Sequence, residues 1–275
     1  MCGEGAAVER PAWLLDEFDL DRPNAARVYD YFLGGSQNLA ADRELARQIL
    51  TAIPDAALVV QANRAFLRRA VLYCIEVGIR QFLDLGSGIP TVGNVHEVAQ
   101  RAAAESRVVY VDIEPVAVAH SRAILAGDDR VAVLQADIRD PDRILLDPGL
   151  RRLLDLDQPV AVLMVAVLPF VPDAEDPFRI VARFRDSISP GSYLVLSHGT
   201  PDTRPKDVAR LTERYRSTST PVKMRPRQQV ERFFTGFELV EPGLVLVQQW
   251  RPDRLDGVEE RPEWSSVYAG VGRRP

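Results

Sequence analysis

The spacing of apolar residues changes character near residue 79. Upstream it is helical. Residues 1–22 scatter apolar side chains among acidic ones and are expected to be partly mobile. Asn24 can cap a helix running to Leu33, which Gly34-Gly35 ends. A second helix fits 38–52 and stops before Pro54. A third begins after Asp55, with Val59, Ala62, Phe66, Ala70 and Tyr73 at helical spacing, and Gly78 closes it.

Downstream, short apolar runs alternate with helical stretches. Strands are predicted at 81–85, 108–112, 131–137, 159–167 and 193–197, with helices at 91–103, 115–126 and 176–188 between them. Such runs, separated by helices, imply a parallel sheet covered on both faces. Near the end, the apolar stretches 237–240 and 244–247 flank Pro242-Gly243 and predict a hairpin. The expected organisation is a tail at 1–22, a helical cap or lid at 23–78, and a doubly wound α/β core at 79–275.

Composition narrows the class. With 46% hydrophobic and 27% charged residues, the 275-residue chain reads as one large α/β domain with an added cap. No window reaches the roughly 18–20 uncharged apolar residues of a membrane helix. The first residues lack the basic head and apolar run of a signal peptide, which predicts a cytoplasmic location. Cys2 and Cys74 cannot build a disulfide framework, and the 3 histidines lack Cys or Glu at ligand spacing, so no metal site is expected. A formal charge of −5 gives no general attraction to nucleic acid.

The chemistry concentrates at predicted strand ends. Asp84-Leu85-Gly86-Ser87-Gly88-Ile89-Pro90 sits where the first strand meets its helix, and glycines there let the backbone approach a ligand closely. Asp112 ends the second strand, where a carboxylate can accept both hydroxyls of a ribose. Asp137 ends the third, where a carboxylate can accept from an exocyclic amine such as adenine N6. One such Asp is equally well an ordinary helix cap. Two of them in step with a glycine turn favour a nucleoside-bearing ligand at the carboxyl edge of the sheet. A nicotinamide enzyme needs pyrophosphate space over the first helix, which Pro90 and Thr91 crowd, and the third glycine of its fingerprint is missing. S-adenosylmethionine needs no such space and uses both acids.

Residues 79–140 resemble the core of a class I S-adenosylmethionine-dependent methyltransferase. The wider match is to an actinobacterial S-adenosyl methyltransferase family. It is carried by 27–35, Asn38, Asp42-Arg43, 63–67, 88–97, 173–177 and 191–198, so it covers nearly the whole chain. The resemblance implies a mostly parallel, seven-stranded Rossmann-like sheet with an antiparallel last strand, and S-adenosyl-L-methionine as cofactor. Asp84, Gly86, Ser87, Gly88, Asp112 and Ile113 are then candidate cofactor contacts. Asp137 and Ile138 are assigned to adenine, and Val165 and Ala166 to the lining of the adenine or acceptor pocket. Pro90 departs from the third glycine common in the superfamily, which alters the turn.

The strands offer no cation for the methionine carboxylate, a role suited to a guanidinium. Arg64 is the candidate, since a matching arginine precedes the first strand in the similar leucine carboxyl methyltransferase group. Tyr29 and Asn38, beside Gly34-Gly35, predict that residues 24–67 form a lid completing the cofactor site. The bland alternative pairs Arg27 and Arg64 with acids such as Asp30.

The acceptor side is written faintly. There is no Asn-Pro-Pro-Tyr run, which counts against amino-methylation of adenine or glutamine. His198 follows the fifth strand and is the best-placed candidate base. The expected function is methyl transfer to oxygen or nitrogen of a small molecule, with no nucleic-acid or membrane partner. A non-catalytic S-adenosylmethionine- or S-adenosylhomocysteine-binding regulator is the alternative. The oligomeric state cannot be read from the chain.

Overall fold

The computed structural model describes residues 22–90, 93–216, 218, 220–252 and 262–275. The tail at 1–21 and the start of the predicted 91–103 helix, Thr91 and Val92, lie outside the described residues.

The cap opens with α1 (Ala25–Phe32), where the Asn24 side chain accepts from the Ala26 N–H (2.8 Å). Next come α2 (Ala40–Ala52) and α3 (Ala56–Glu76). Val28, Phe32, Leu45, Ala46 and Ile49 form a small core of their own with Tyr215. The helix α3 leaves that core partway along. Its Phe66, Leu67, Ala70, Val71 and Cys74 pack against the sheet, so the boundary between cap and core falls inside one helix.

The core then alternates as its apolar runs dictate: β1 (Gln81–Leu85), α4 (Val95–Ala102), β2 (Arg107–Asp112), α5 (Pro115–Ile124) and β3 (Val131–Gln135). It continues with α6 (Pro141–Leu145), α7 (Pro148–Leu153), β4 (Ala161–Val165), α8 (Pro177–Asp186) and β5 (Tyr193–Gly199). After α9 (Pro205–Tyr215) and α10 (Arg227–Arg232) come β6 (Glu238–Leu239), β7 (Val245–Leu246) and β8 (Val267–Arg273). Side chains alternate across the sheet. Leu83 and Leu85 of β1 face Ile144, Leu150 and Phe184, while Phe82 faces Phe66, Val71 and Trp250. Both faces are covered.

The sheet order is β3-β2-β1-β4-β5-β8-β6, with β7 also on β8. The order reverses between β1 and β4, which places the ligand crevice of such a sheet at their carboxyl ends. There, β8 runs antiparallel to β5, from Tyr193 opposite Arg273 to Gly199 opposite Val267. Eight strands occupy seven positions, because β6 and β7 share the free edge of β8: Leu239 pairs with Gly272 and Leu246 with Tyr268. The predicted hairpin is therefore corrected. Its two arms run in the same direction along β8 rather than against each other, because a longer partner strand is available at that edge. The helix predicted at 91–103 begins only at Val95, after a capping box in which Glu97 accepts from the Gly93 and Asn94 N–H groups.

Candidate functional site

The glycine turn after β1 is held by β2. Gly86 and Ser87 N–H donate to the Val111 carbonyl (2.8 and 3.2 Å), and Gly88 N–H donates to Asp112 Oδ2 (2.7 Å). Gly86 has φ +71°, and a Cβ there would lie 2.2 Å from Val167 Cγ2, so only glycine fits. Gly88 has φ +68° and faces open space. The turn thus offers a ligand room, while its Gly86, Ser87 and Gly88 N–H groups are already spent on β2. An anion-binding nest needs such donors, and the N-terminus of α4 is already capped by Asn94 and Glu97.

What the turn presents instead is acid. Asp84 is buried at the end of β1, and burial pushes its carboxyl up to about 7, with Asp112 adding to the rise and Arg64 opposing it. Asp112 is also buried, and burial raises its carboxyl despite hydrogen bonds from Glu114 N–H (2.8 Å) and Gly88 N–H. The Ile113 N–H bears on the same carboxylate, so of its roughly four acceptor positions about one remains. Arg64 stands beside Asp84. It lines a small cleft with Asp84, Ser87, Gly88 and Asn94, and its Nη2 reaches Asn94 Oδ1 at 3.4 Å. The enclosed part of the cleft is about 10 Å³, room for about one water.

The remaining expected residues divide. Ile113 is 52% exposed beside Asp112, whereas Ile138 is 7% exposed and packs into the sheet core. Asp137 is spent on one partner: Arg139 reaches both its oxygens, with Nε at 2.9 and 2.8 Å and Nη2 at 2.5 Å. Burial pushes that carboxyl up, but the Arg139 hydrogen bonds outweigh it and hold it below its ordinary range. Val165 ends β4, and Ala166 turns the chain with φ +60°, its N–H donating to the Ser197 carbonyl (3.2 Å). A non-glycine residue in that region is strained, a feature that gathers at functional sites.

Asn38 serves the cap. Its Nδ2 donates to Asp30 Oδ2 (2.8 Å) and the Gly35 carbonyl (2.9 Å), and its Oδ1 accepts from Arg43 (3.2 Å). Tyr29 is buried against α3, where its hydroxyl accepts from Asn63 Nδ2 (3.0 Å) and donates to the Val60 carbonyl (3.3 Å). His198 is fully buried. Its Nδ1–H donates to the Gly199 carbonyl (2.8 Å), its Nε2 accepts from Arg225 Nη1 (3.0 Å), and burial pushes it down to about 3. With both ring nitrogens bonded and the ring fully buried, His198 braces the end of β5 and is not placed to act as a base.

Sequence reasoning missed two groups. Arg27 pairs with Asp42 (2.7 Å) and Glu114 (2.8 Å), all three buried, and so ties the cap to the end of β2. Glu114 precedes Pro115 and reads as a helix cap, which it also is, donating nothing and accepting from Ala117 N–H (2.8 Å). Asn63 joins Tyr29 to Ser197, whose Oγ donates to Asn63 Oδ1 (2.6 Å). Its place next to Arg64 in a residue-specific stretch was the available signal.

A family model described as S-adenosyl methyltransferase matches residues 11–275. Among solved structures, a DUF574 family protein from Streptomyces avermitilis is 42% identical with a TM-score of 0.90, over 94% of this chain and 99% of its own. A Thermobifida fusca protein, provisionally assigned as a methyltransferase, is 41% identical with a TM-score of 0.89, over 96% of this chain and 99% of its own. Human N-acetylserotonin methyltransferase, solved with S-adenosylmethionine, shares the fold at 13% identity and a TM-score of 0.50, over 92% of this chain and 63% of its own. A search of curated proteins found no match.

Proposed function

Since the chain belongs to the S-adenosyl methyltransferase family, we propose that it methylates an oxygen or nitrogen of a small molecule at the carboxyl edge of its sheet. S-adenosylmethionine is the cofactor, and it supplies an electrophilic methyl group on a sulfonium centre. The donor set fits that molecule: Asp84 and Arg64 line the space at Gly88, a carboxylate for an ammonium and a guanidinium for a carboxylate, with Asp112 at the neighbouring strand end for a ribose.

Each residue then has a task. Asp112 accepts from the ribose at its remaining position, while Gly88 and Glu114 hold it in place. Asp84 faces the α-ammonium and Arg64 the carboxylate of the methionine end. Ile113 offers the exposed apolar surface for the adenine ring, with Ile138 supporting it from the core. Asp137 takes the adenine amine once the Arg139 side chain swings off it. Val165 and Ala166 close the pocket from β4.

Methyl transfer is an in-line displacement, so alignment of the acceptor supplies most of the acceleration and no side-chain base is required. The acceptor heteroatom forms its new bond to carbon as the C–S bond breaks, and the acceptor proton passes to solvent. The cap covers the cleft and keeps water from the reacting atoms.

The observation that carries the cofactor assignment is Asp112, a buried carboxylate at the end of β2 fixed against the glycine turn by the Gly88 N–H. Losing it should weaken S-adenosylhomocysteine binding by about 2–4 kcal/mol, roughly 30- to 1,000-fold. Calorimetry on Asp112→Ala checks this, and near wild-type affinity would overturn it. The small-molecule assignment is checked with labelled methyl donor and cell extract. Label should appear in the dialysable fraction, and label in protein or nucleic acid instead would refute it.

A further inference from the structure

A second cavity, about 140 Å³, lies between the cap, α9 and the adjoining ends of β5 and β8. Its walls are apolar: Phe32, Ile49, Ile53, Val60, Leu211 and Tyr215 among them. Protein interiors pack closely, with few voids larger than a water molecule. An apolar space of about 150 Å³ stays dry and accepts a benzene ring. This one has the size and chemistry of a seat for a single ring.

Its position relates it to the cofactor cleft. Val59 and Val60 of α3 line the cavity, whereas Arg64, one turn on, lines the cleft with Asp84 and Gly88. Asn63 lies between them, bonded on one side to the Tyr29 hydroxyl and on the other to Ser197 Oγ. The Tyr29 ring is part of the cavity wall. A single turn of α3 therefore partitions the two spaces, and Tyr29 is the polar group at that partition.

Charge at the cavity is already compensated. Arg204 Nη1 donates to Asp55 Oδ2 (2.5 Å) and to the Trp264 carbonyl (3.0 Å), and its Nη2 pairs with Asp207 (2.7 Å). Asp207 is shared in turn with Arg210 (3.4 Å). A charged ligand would enter apolar walls against a rim with no net charge to receive it, which is costly.

Resting on the small-molecule methyltransferase reading, we infer that the methyl acceptor is a neutral molecule built on one aromatic or alicyclic ring. The ring sits in this cavity, and its hydroxyl or neutral amine points past Tyr29 toward the cleft. Transfer forms the O–CH₃ or N–CH₃ bond as the donor C–S bond breaks, leaving a neutral thioether and releasing the acceptor proton to solvent.

The test uses phenol, indole, 2-naphthol and benzoate as probes, titrated by NMR against the full chain with and without S-adenosylhomocysteine. Phenol and indole should bind the wild type, and benzoate at least tenfold more weakly. Val208→Phe, filling the cavity from α9, should weaken phenol and indole at least tenfold while leaving S-adenosylhomocysteine affinity unchanged. Leu211→Ala, enlarging it, should shift preference toward 2-naphthol. Failure of phenol and indole to bind the wild type, equal binding to the filled variant, or benzoate binding as well as phenol would each overturn the inference. Loss of S-adenosylhomocysteine binding in the wild type would instead strike the cleft assignment, and the ring titrations without it would still judge the cavity.

Discussion

Asp84 sits where β1 opens into the cleft, and burial keeps its carboxyl at about 7. Unfolded, the same group titrates near 3.9. Between these values the unfolded chain releases a proton that the native chain retains, so rising pH favours unfolding by up to about 1.4 kcal/mol per unit from this group. Above about 7 both states are ionised and the loss levels off. Asp84→Asn removes the dependence. Urea denaturation should show the variant gaining on the wild type from pH 5 to pH 7.5, and a pH-independent difference would contradict the assignment. Cofactor binding carries the opposite sign. On the proposed reading an ammonium beside Asp84 lowers its pKa, so binding releases a proton below about 7 and S-adenosylhomocysteine affinity rises as pH climbs toward 7 and levels off above it, a rise the Asn variant should lack. The positions of Asp84 and Asp112 are legible from sequence because strand ends fix where such side chains stand, whereas Arg64, inside α3, is placed by the packing of that helix. Ile138 is less legible. One residue of offset after β3 decides between core and cleft, and burial gives it the core.

Elements β1, β2, β4 and β5 can be read from the chain because each is a largely buried apolar run between helices, and β3, only half-buried at the sheet edge, is still an apolar run. The opposite edge cannot be read the same way. Whether 237–240 pairs with 244–247 or with a strand at the far end of the sequence depends on a contact that no local pattern encodes, and β8 wins both. Cap attachment is equally non-local. Arg27 on α1 meets Asp42 on α2 and Glu114 before α5, with Asp42 also accepting from Asn24 and Leu39 N–H groups. Buried ion pairs add little net stability when complete, but removing one member strands the others without a counter-charge. Arg27→Met should therefore cost about 3–5 kcal/mol, well above the under 1 kcal/mol of a surface pair. Denaturant titration of this variant measures it, and a loss below about 1 kcal/mol would mean the triad is not buried in solution. The acceptor cavity was invisible for the same reason: its walls come from the cap, α9, β5 and β8, segments that only the fold brings together.

At the scale of the whole molecule, two bodies share one helix. The lower part of α3 belongs to the sheet core through Phe66, Val71 and Cys74, while α1 and α2 hold to each other and to Tyr215. The cleft at the glycine turn, with Arg64 of α3 as one wall, encloses only about 10 Å³, less than a nucleoside needs. We propose that ligand entry opens the cap, whose smaller core makes α1 and α2 the elements that yield first. Such local opening has its own free energy, below that of global unfolding. A ligand that bridges cap and sheet stabilises the closed form by RT ln(1 + [L]/Kd), about 2.7 kcal/mol at a hundredfold excess over Kd. Hydrogen exchange across residues 25–52 should accordingly slow by up to about a hundredfold when S-adenosylhomocysteine is present at that excess. Residues 66–76, already locked to the sheet, should change little. Equal protection of both segments, or none in either, would show that cap and core open as one unit. The cleft would then have to admit its cofactor by moving the glycine turn instead.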